Sequence, residues 1–457
     1  MTEPAAGAQA PSPLALGGRF WAAAAILLAL VGFAANVLRP LAPAVSAIPV
    51  PQERFDPALL AAIAEYREPR LLAALVSLAI TVLVPVLVLV LPRGRALVRR
   101  LADVRVAKGP MWLHDPVRGA IVGALVLILT RIAGLPISFW IGHVQERAWG
   151  FRIAAGAAWF GDWAVAVAVE TVVIAVVGAL FVVLVRRWPR DWHWRVVVAA
   201  TLLSAALVLL APLLIQPLTL SSTPLPAGPL RDRLEAVVAE SGIQARLTVG
   251  DASRRTTKVN AFVTGLGPTR QVVLWDTLLR LPADEVVAVV AHELAHRDHQ
   301  DIPRGIALTA MGVLPFALVL RRVLASPRIS RTLGTSRAGD PRQVAVLVAA
   351  SALAQILVLP PALIASRRAE AAADHRALIV TQDPDALIST FRGFVARDLS
   401  SPSPSLLVTL LFASHPSADL RIRAVVQEAR RRGWLVSDLA SFEAEELQER
   451  HPRAGQP

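Results

Sequence analysis

The sequence contains no cysteine, and only 18% of its 457 residues are charged. Without cysteine there is no disulfide, thiol nucleophile or cysteine-ligated zinc site, so any metal must be held by His, Asp or Glu. A soluble protein of this length has about a quarter charged residues, whereas 55% of this chain is apolar. The composition therefore predicts a polytopic membrane protein.

The charges that are present give a formal net charge of +13. In a membrane protein such an excess sits in the loops that flank the spans. No basic stripe with interleaved aromatic residues appears, so we expect no nucleic-acid partner. The first 18 residues hold no basic residue, which is a poor start for a cleaved signal peptide and favours an uncleaved first span.

Seven apolar runs are long enough, at about 20 residues, to cross a bilayer as helices. The last run contains Pro360 and Pro361, which predict a kink or a break. The runs lie near 20–41, 70–91, 119–141, 163–185, 194–217, 303–324 and 343–366. The domains that follow are a tail at 1–19, five spans within 20–217, a polar segment at 218–302, two spans within 303–366, a second polar segment at 367–450, and a disordered tail at 451–457.

The first polar segment mixes strands with one conspicuous helix. Short strands are predicted in the stretches ARLTVGDAS (245–253), NAFVTG (260–265) and RQVVLWD (270–276). The stretch from 281 to 300 predicts a helix with Pro282 near its start. The chain is thus expected to be mainly α-helical, with a small α+β domain outside the membrane.

The predicted helix carries a candidate metal site in the stretch VVAHELAHRDHQD. His292 and His296 are four residues apart, so they share a helix face and can hold one ion. Glu293 can then accept a proton from a metal-activated water. A metzincin would need Gly at 299 and His at 302, but the chain has His299 and Ile302. The third ligand must lie elsewhere, and chance occurrence of so short a motif remains the alternative.

The best candidate for the third ligand is Glu370, in the stretch SRRAEAAADHRAL directly after the last apolar run. Glu370 and Asp374 are four residues apart on a predicted helix. If that helix packs beside the first, Glu370 can complete the site and Asp374 can orient a ligating histidine. The alternative is a solvated helix start, with both carboxylates beside Arg367, Arg368 and Arg376.

A third stretch with candidate functional residues is ASHPSADLRIRA. His415 can donate a hydrogen bond to the oxyanion of a peptide-bond attack. Arg421 can orient a catalytic carboxylate or that histidine. The alternative is a surface turn followed by a basic helix.

Two charged residues lie inside predicted spans, Arg131 in the third and Glu170 in the fourth. A charged side chain inside a membrane span has a high free-energy cost unless it is paired with an opposite charge. A buried structural ion pair and the lining of a water-filled cavity are the two readings.

Together these sequence stretches resemble those of the integral-membrane zinc endopeptidases of the type I CAAX prenyl protease family. The matching elements stand in the family's order: the seven spans, DASRRTTKVNAFVTGLG, RQVVLWDTLL, HELAH, EAAAD and SHPSADLRI. The resemblance implies seven transmembrane helices enclosing a chamber, and a gluzincin-like α+β protease domain that the last two spans divide. It also implies one Zn²⁺ per chain and a peptide or protein substrate, in contact with the lipid bilayer.

The resemblance further assigns a role to each matching residue. His292, His296 and Glu370 are implied as zinc ligands, and Glu293 as the general base. Asp374 is implied as the carboxylate behind the ligands, His415 as the transition-state donor and Arg421 as its neighbouring arginine. Asn260 and Ala261 are implied as part of the substrate-binding strand.

Two rival functions stay open. One is an HtpX-like quality-control protease with the same zinc chemistry and fewer spans. The other is a transporter or a non-proteolytic membrane scaffold that kept a zinc site. The Ala- and Arg-rich composition indicates a high-GC bacterium, so we expect the multi-pass protein in a bacterial cytoplasmic membrane and do not expect a prenylated substrate.

The orientation in the membrane is also open. The loops at 93–118, 186–195 and 321–342 hold seven, four and six basic residues, whereas those at 42–70 and 142–160 hold three and two. The positive-inside rule puts the richer set in the cytoplasm and the protease domain outside. The family resemblance implies a cytosolic protease domain instead.

Overall fold

The computed structural model describes residues 55–106, 110–214, 220–265, 270–298, 300–335 and 337–437. The predicted tails at 1–19 and 451–457 and the first predicted span, 20–41, lie outside these residues. So does His299, between the two ends of the metal-site stretch.

The N-terminal half is a series of long helices. These are α1 (Pro57–Val90), α2 (Pro92–Ala102), α3 (Met111–Phe139), α4 (Gly156–Arg187) and α5 (Trp192–Leu214). A π-helical turn, Trp140–Gln145, and a short helical turn, Glu146–Ala148, extend α3. Such π-helical turns often accompany functional regions.

The C-terminal half starts with strand β1 (Ser222–Pro224) and helix α6 (Pro229–Glu240), followed by β2 (Arg246–Gly250), β3 (Ala261–Thr264) and β4 (Gln271–Trp275). The helices that follow are α7 (Ala283–Asp298), α8 (Asp301–Leu324), α9 (Pro327–Leu333), α10 (Gln343–Thr381), α11 (Pro384–Asp398), α12 (Leu406–Leu411) and α13 (Ala418–Arg432).

Six helices in the described part of the chain are long and apolar enough to cross a membrane. They correspond to α1, α3, α4, α5, α8 and α10, and each overlaps one of the second to seventh predicted spans. The protein is therefore mainly helical and multi-pass. The total of seven spans stays a prediction, as do the enclosed chamber and the division of the protease domain.

Helix α10 bears on the expected kink or break at the two prolines. It continues through Pro360 and Pro361 to Thr381, so the break is absent, while a kink stays a prediction. A membrane helix tolerates proline because neighbouring helices and local adjustments satisfy the freed backbone groups. Glu370 and Asp374 therefore stand on the same helix as the last candidate span, and not on a separate one after it.

Helices α3 and α4 pack closely through glycine. A Cβ atom on Gly178 would lie 2.8 Å from the carbonyl oxygen of Gly119, so neither position has room for a side chain. Small residues of this kind let membrane helices approach each other. Farther along the same interface Arg131 donates to both oxygens of Glu170, at 2.6 and 2.9 Å. The two charges therefore form an ion pair, as one of the two readings predicts, but the pair is not buried: about 40% of each side chain is exposed.

The sheet confirms the three predicted strands and adds one. Its order is β1-β2-β4-β3, with β2 and β4 parallel and the other neighbours antiparallel. Strand β1 lies in a proline-containing stretch, SSTPLPAGP (221–229), where no strand was predicted. Pro224 can belong to it because β1 is at one edge, where a missing N–H costs no ladder bond. Strand β3 forms the other edge, and its outer side is not paired within the sheet.

Helix α7 packs between the sheet and the last helices. On one side its apolar residues join a core with the sheet and α6. On the other side Ala288 and Ala291 pack against residues of α10, α11 and α13, including Leu378, Phe391 and Val425. The residues before α8 and those after α10 therefore share one core around the helix that carries the metal-site motif.

Candidate metal centre

Helix α7 has the features of a stable helix that ends at the site. Asp284 and Glu285 lie in its first turn, where carboxylates stabilise the helix dipole. One ligand atom each from His292, Glu293 and His296 lies within 4.8 Å of those of the other two. The spacing of four residues thus brings both imidazoles to one face, as predicted.

Glu370 reaches this face from α10. Its Oε2 lies 3.1 Å from Nε2 of His292, and its Oε1 lies 3.7 Å from Nε2 of His296. Glu293 is also close, but Glu370 is the carboxylate that contacts both rings. Two imidazole nitrogens and a carboxylate from two helices therefore converge on one region. This is the donor set that zinc takes in His₂Glu catalytic sites, so these residues fit the metal.

Asp374 lies one helical turn beyond Glu370. Its Oδ1 is 2.9 Å from Nδ1 of His292. Arg421 donates to both oxygens of Asp374, at 2.8 and 2.6 Å, and stacks 4.0 Å from the ring centre of Phe391. Arg421 is buried and occupied by this pair, which favours its role in orienting a carboxylate over direct contact with substrate.

Burial and charge both act on the acid–base properties of the motif. Burial lowers the pKa of His292, but the Asp374 and Glu370 carboxylates outweigh it and raise that pKa to about 10. A metal that binds to His292 must therefore displace a proton at neutral pH. Burial raises the pKa of Glu293, against the opposing effect of the two histidines. A raised pKa suits a carboxylate that takes up and returns a proton.

His415 is brought to the same carboxylate. Its Nε2 lies 3.1 Å from Oε2 of Glu370, and about half of its side chain is exposed. Ser417 caps α13 directly after the His-Pro pair. On the other side of the turn, Arg367 donates to the carbonyl oxygens of Thr409 and Ala413, at 2.7 and 2.8 Å. The loop that carries His415 is thus held at both ends.

Asp301 is a residue of this site that the sequence did not reveal. Its Oδ2 lies 2.8 Å from Nδ1 of His296. The chain passes through Gln300 in a left-handed conformation, with φ of 55°, and α8 begins with Asp301. This reversal returns the carboxylate to the ring. The only sign of this contact in the sequence is a carboxylate five residues after the second histidine. Without knowledge of the turn at Gln300, that spacing predicts no contact.

A cavity of about 110 Å³ adjoins the motif. Its walls include the predicted substrate strand as well as the catalytic candidates, namely Asn260, Ala261, His292, Glu293, His415 and Arg421. A larger cavity of about 1250 Å³ follows the edge strand β3 towards the membrane helices α5 and α8. The structure therefore brings together the nine residues that the sequence analysis assigned to the site.

Family comparisons agree with these observations. The model of peptidase family M48 matches residues 224–429, and the model "CAAX prenyl protease N-terminal, five membrane helices" matches residues 42–219. The two matches are consecutive and together cover most of the chain.

Two individual relatives share less than 30% sequence identity with this chain over the aligned residues. An uncharacterised metalloprotease, YhfN of Bacillus subtilis, is 24% identical over 305 residues, which is 66% of this chain and 71% of that protein. CAAX prenyl protease 1 of Saccharomyces cerevisiae is 29% identical over 175 residues, or 38% of this chain. The match spans only 39% of the yeast protein, well under half of its length.

Among solved structures, Ste24p of S. mikatae superposes with a TM-score of 0.72 at 20% sequence identity. The match covers 89% of this chain and 99% of that one. At this identity the likeness concerns the fold, which extends over both the membrane helices and the sheet-containing domain.

Proposed function

Because the chain belongs to peptidase family M48 and joins its metalloprotease domain to a CAAX prenyl protease N-terminal domain, we propose that it is a zinc-dependent endopeptidase of the membrane. One zinc ion per chain would be held by His292, His296 and Glu370. Zinc in such a site supplies Lewis acidity: it makes a water molecule easier to deprotonate and polarises a carbonyl oxygen.

The observation that carries this proposal is the position of Glu370. Its Oε2 faces the imidazole of His292 and its Oε1 faces that of His296, although Glu370 comes from a different helix. A chance His-Glu-x-x-His sequence would have no reason to meet a third donor on its ligand face. This convergence also speaks against the reading of Glu370 and Asp374 as a solvated helix start.

Glu293 is the proposed proton carrier. Its carboxylate would accept the proton of the attacking water and deliver it to the nitrogen of the leaving amine. Its burial supports this role, because burial raises its pKa and makes the protonated intermediate state accessible.

Asp374, Arg421 and His415 have proposed roles around this reaction. Asp374 would hold the ring of His292 in the tautomer that presents Nε2, and Arg421 would fix Asp374 through two bonds. His415 would donate from Nε2 to the oxyanion as the carbonyl is attacked. Its half-exposed position beside Glu370 supports this, since it can turn towards a substrate.

The substrate would bind as an added strand. The outer side of β3 is not paired within the sheet, and an extended peptide can hydrogen-bond to such an edge. Asn260 and Ala261 lie where β3 reaches the motif, so the peptide bond beside them would be the one cleaved. The apolar walls of the 1250 Å³ cavity favour a peptide that is membrane-associated. We propose the reaction for this chain and do not extend it to prenylated substrates.

The test compares wild type with Glu293→Gln. The variant keeps the shape of the side chain and should retain about one zinc per chain while losing roughly 10²–10⁴-fold in peptide hydrolysis. Peptides released from membranes that contain either form, identified by mass spectrometry, would show the cleavage sites. Full activity in the variant contradicts the mechanism, whereas zinc binding with no cleavage by wild type would favour a non-proteolytic scaffold.

A further inference from the structure

The positive charge of this protein is concentrated in three loops. The loops at 93–118, 186–195 and 321–342 contain 17 Lys and Arg residues against four Asp and no Glu. The excess of 13 equals the formal net charge of the whole chain. The rest of the molecule, including the protease domain, is neutral overall.

The structure joins these three loops around one buried carboxylate. Asp115, at the start of α3, binds Arg118 at 2.8 Å and Arg337 at 2.6 Å, and it also pairs with Arg186. Arg186 lies in the last turn of α4 and Arg337 precedes α10, so each of the three loops contributes a guanidinium. One carboxylate cannot neutralise three guanidiniums, and the cluster keeps an excess of positive charge.

Around this cluster the surface is almost purely cationic. Two of the four aspartates, Asp115 and Asp340, are buried. Helix α2 is amphipathic: it buries Val98 and Ala102 and exposes Arg93, Arg99 and Arg100. The exposed arginines of this face, here called the arginine face, are Arg93, Arg99, Arg100, Arg105, Arg186, Arg187, Arg190, Arg321, Arg322, Arg328, Arg331 and Arg337.

The arginine face lies at the ends of the candidate spans. Its loops connect α1 to α3, α4 to α5, and α8 to α10, whereas the sheet and α7 follow the opposite end of α5. Trp112 and Trp194 are exposed beside it. Tryptophan at the end of a span sits at the level of lipid headgroups. The cationic surface is therefore at the height of the phosphate layer of one leaflet.

We propose that the arginine face binds the headgroups of anionic phospholipids. Arginine stems can lie along the apolar helix ends while their guanidiniums reach phosphate oxygens. Basic clusters between transmembrane helices recognise such headgroups, at a gain near the membrane surface equivalent to roughly fivefold in affinity per charge. Asp115 would hold the guanidiniums of three loops at one point, so that they act on the same lipid.

The test uses the full-length zinc-loaded protein in a neutral detergent. Thermal unfolding is followed while phosphatidylglycerol or phosphatidylcholine with the same acyl chains is added. We expect phosphatidylglycerol to raise the unfolding temperature and phosphatidylcholine to have little effect. The triple variant Arg99→Gln, Arg100→Gln, Arg187→Gln should need on the order of 100-fold more phosphatidylglycerol for the same rise.

A matched variant controls for loss of charge in general. It replaces exposed arginines of the protease domain, Arg246, Arg280 and Arg430, by Gln, and should respond like wild type. The proposal is overturned if both lipids stabilise equally or if the two triple variants behave alike. An equal rise with inorganic phosphate or with a DNA duplex also overturns it.

Discussion

Glu370 Oε2 lies 3.1 Å from His292 Nε2, although 78 residues and two candidate membrane spans separate the two in the sequence. The contact depends on α10 running unbroken from the membrane into the protease domain. One of the three proposed zinc ligands is therefore supplied by a helix that is also a candidate membrane span, and the integrity of that helix is coupled to the integrity of the site.

Replacing Glu370 by Ala should remove zinc as severely as replacing His296 by Ala. Each change deletes one of three donors, so neither variant should retain stoichiometric zinc after dialysis. Metal content per chain, measured by plasma mass spectrometry, checks this. Glu240→Ala, at an exposed position of α6, is the matched control and should retain its zinc. A Glu370→Ala protein with full zinc would mean that another residue supplies the third ligand.

Asp301 should matter for zinc affinity although it does not face the metal position. Its contact with Nδ1 of His296 fixes the ring orientation, and loss of such a partner typically costs 10–100-fold in metal affinity. Asp301→Ala should show that loss in competition with a zinc chelator. Arg304→Gln removes a cation 3.8 Å from the same carboxylate and should leave the affinity within about twofold. Equal affinities for the two variants would show that the contact has no role.

Periodicity was enough to predict much of this molecule. The apolar runs predicted the six candidate spans, short stretches with the residue types of strands predicted β2, β3 and β4, and the spacing of four residues predicted the shared face of His292 and His296. These features depend on local sequence. The contact of Asp301 depends on one left-handed residue, and strand β1 on an edge position. Neither feature produces a periodic pattern in the sequence. The continuity of α10 through its two prolines produces none either.

Asp398 should make stability depend on pH in a defined direction. It ends α11 beside a cavity of about 1180 Å³ that Lys258 also lines. Burial raises the pKa of Asp398 to about 6 from 3.8, and Glu146 adds to the effect, while Lys258 and Arg397 oppose it. The folded protein therefore binds the proton more tightly than the unfolded chain does. The stabilisation is complete below about pH 3.8 and is lost as pH rises through about 6.

The measurement is the unfolding temperature of wild type minus that of Asp398→Asn between pH 4 and pH 8. Asn does not titrate, so the difference isolates this one carboxyl group from the other acids. It should fall between about pH 4 and 6.5 and be flat above pH 7. A difference that rises with pH would mean that Asp398 is stabilised as the anion, by Lys258 or Arg397.

The arginine face also predicts the orientation of the protein in its membrane. Short loops rich in Arg remain in the cytoplasm, so the protease domain should lie on the other side. The absence of cysteine from the chain permits a direct test with single-cysteine variants. Gln244→Cys is exposed in the protease domain, and Ala338→Cys is exposed in the arginine-rich loop before α10.

In sealed right-side-out vesicles an impermeant maleimide should label Gln244→Cys, whereas Ala338→Cys should react only after the membrane is permeabilised. Inverted vesicles should give the reverse pattern, which controls for intrinsic reactivity of the two thiols. Labelling of Ala338→Cys alone in right-side-out vesicles would place the protease domain in the cytoplasm. The arginine face would then meet the outer leaflet, and charge in these loops would not be what orients the chain.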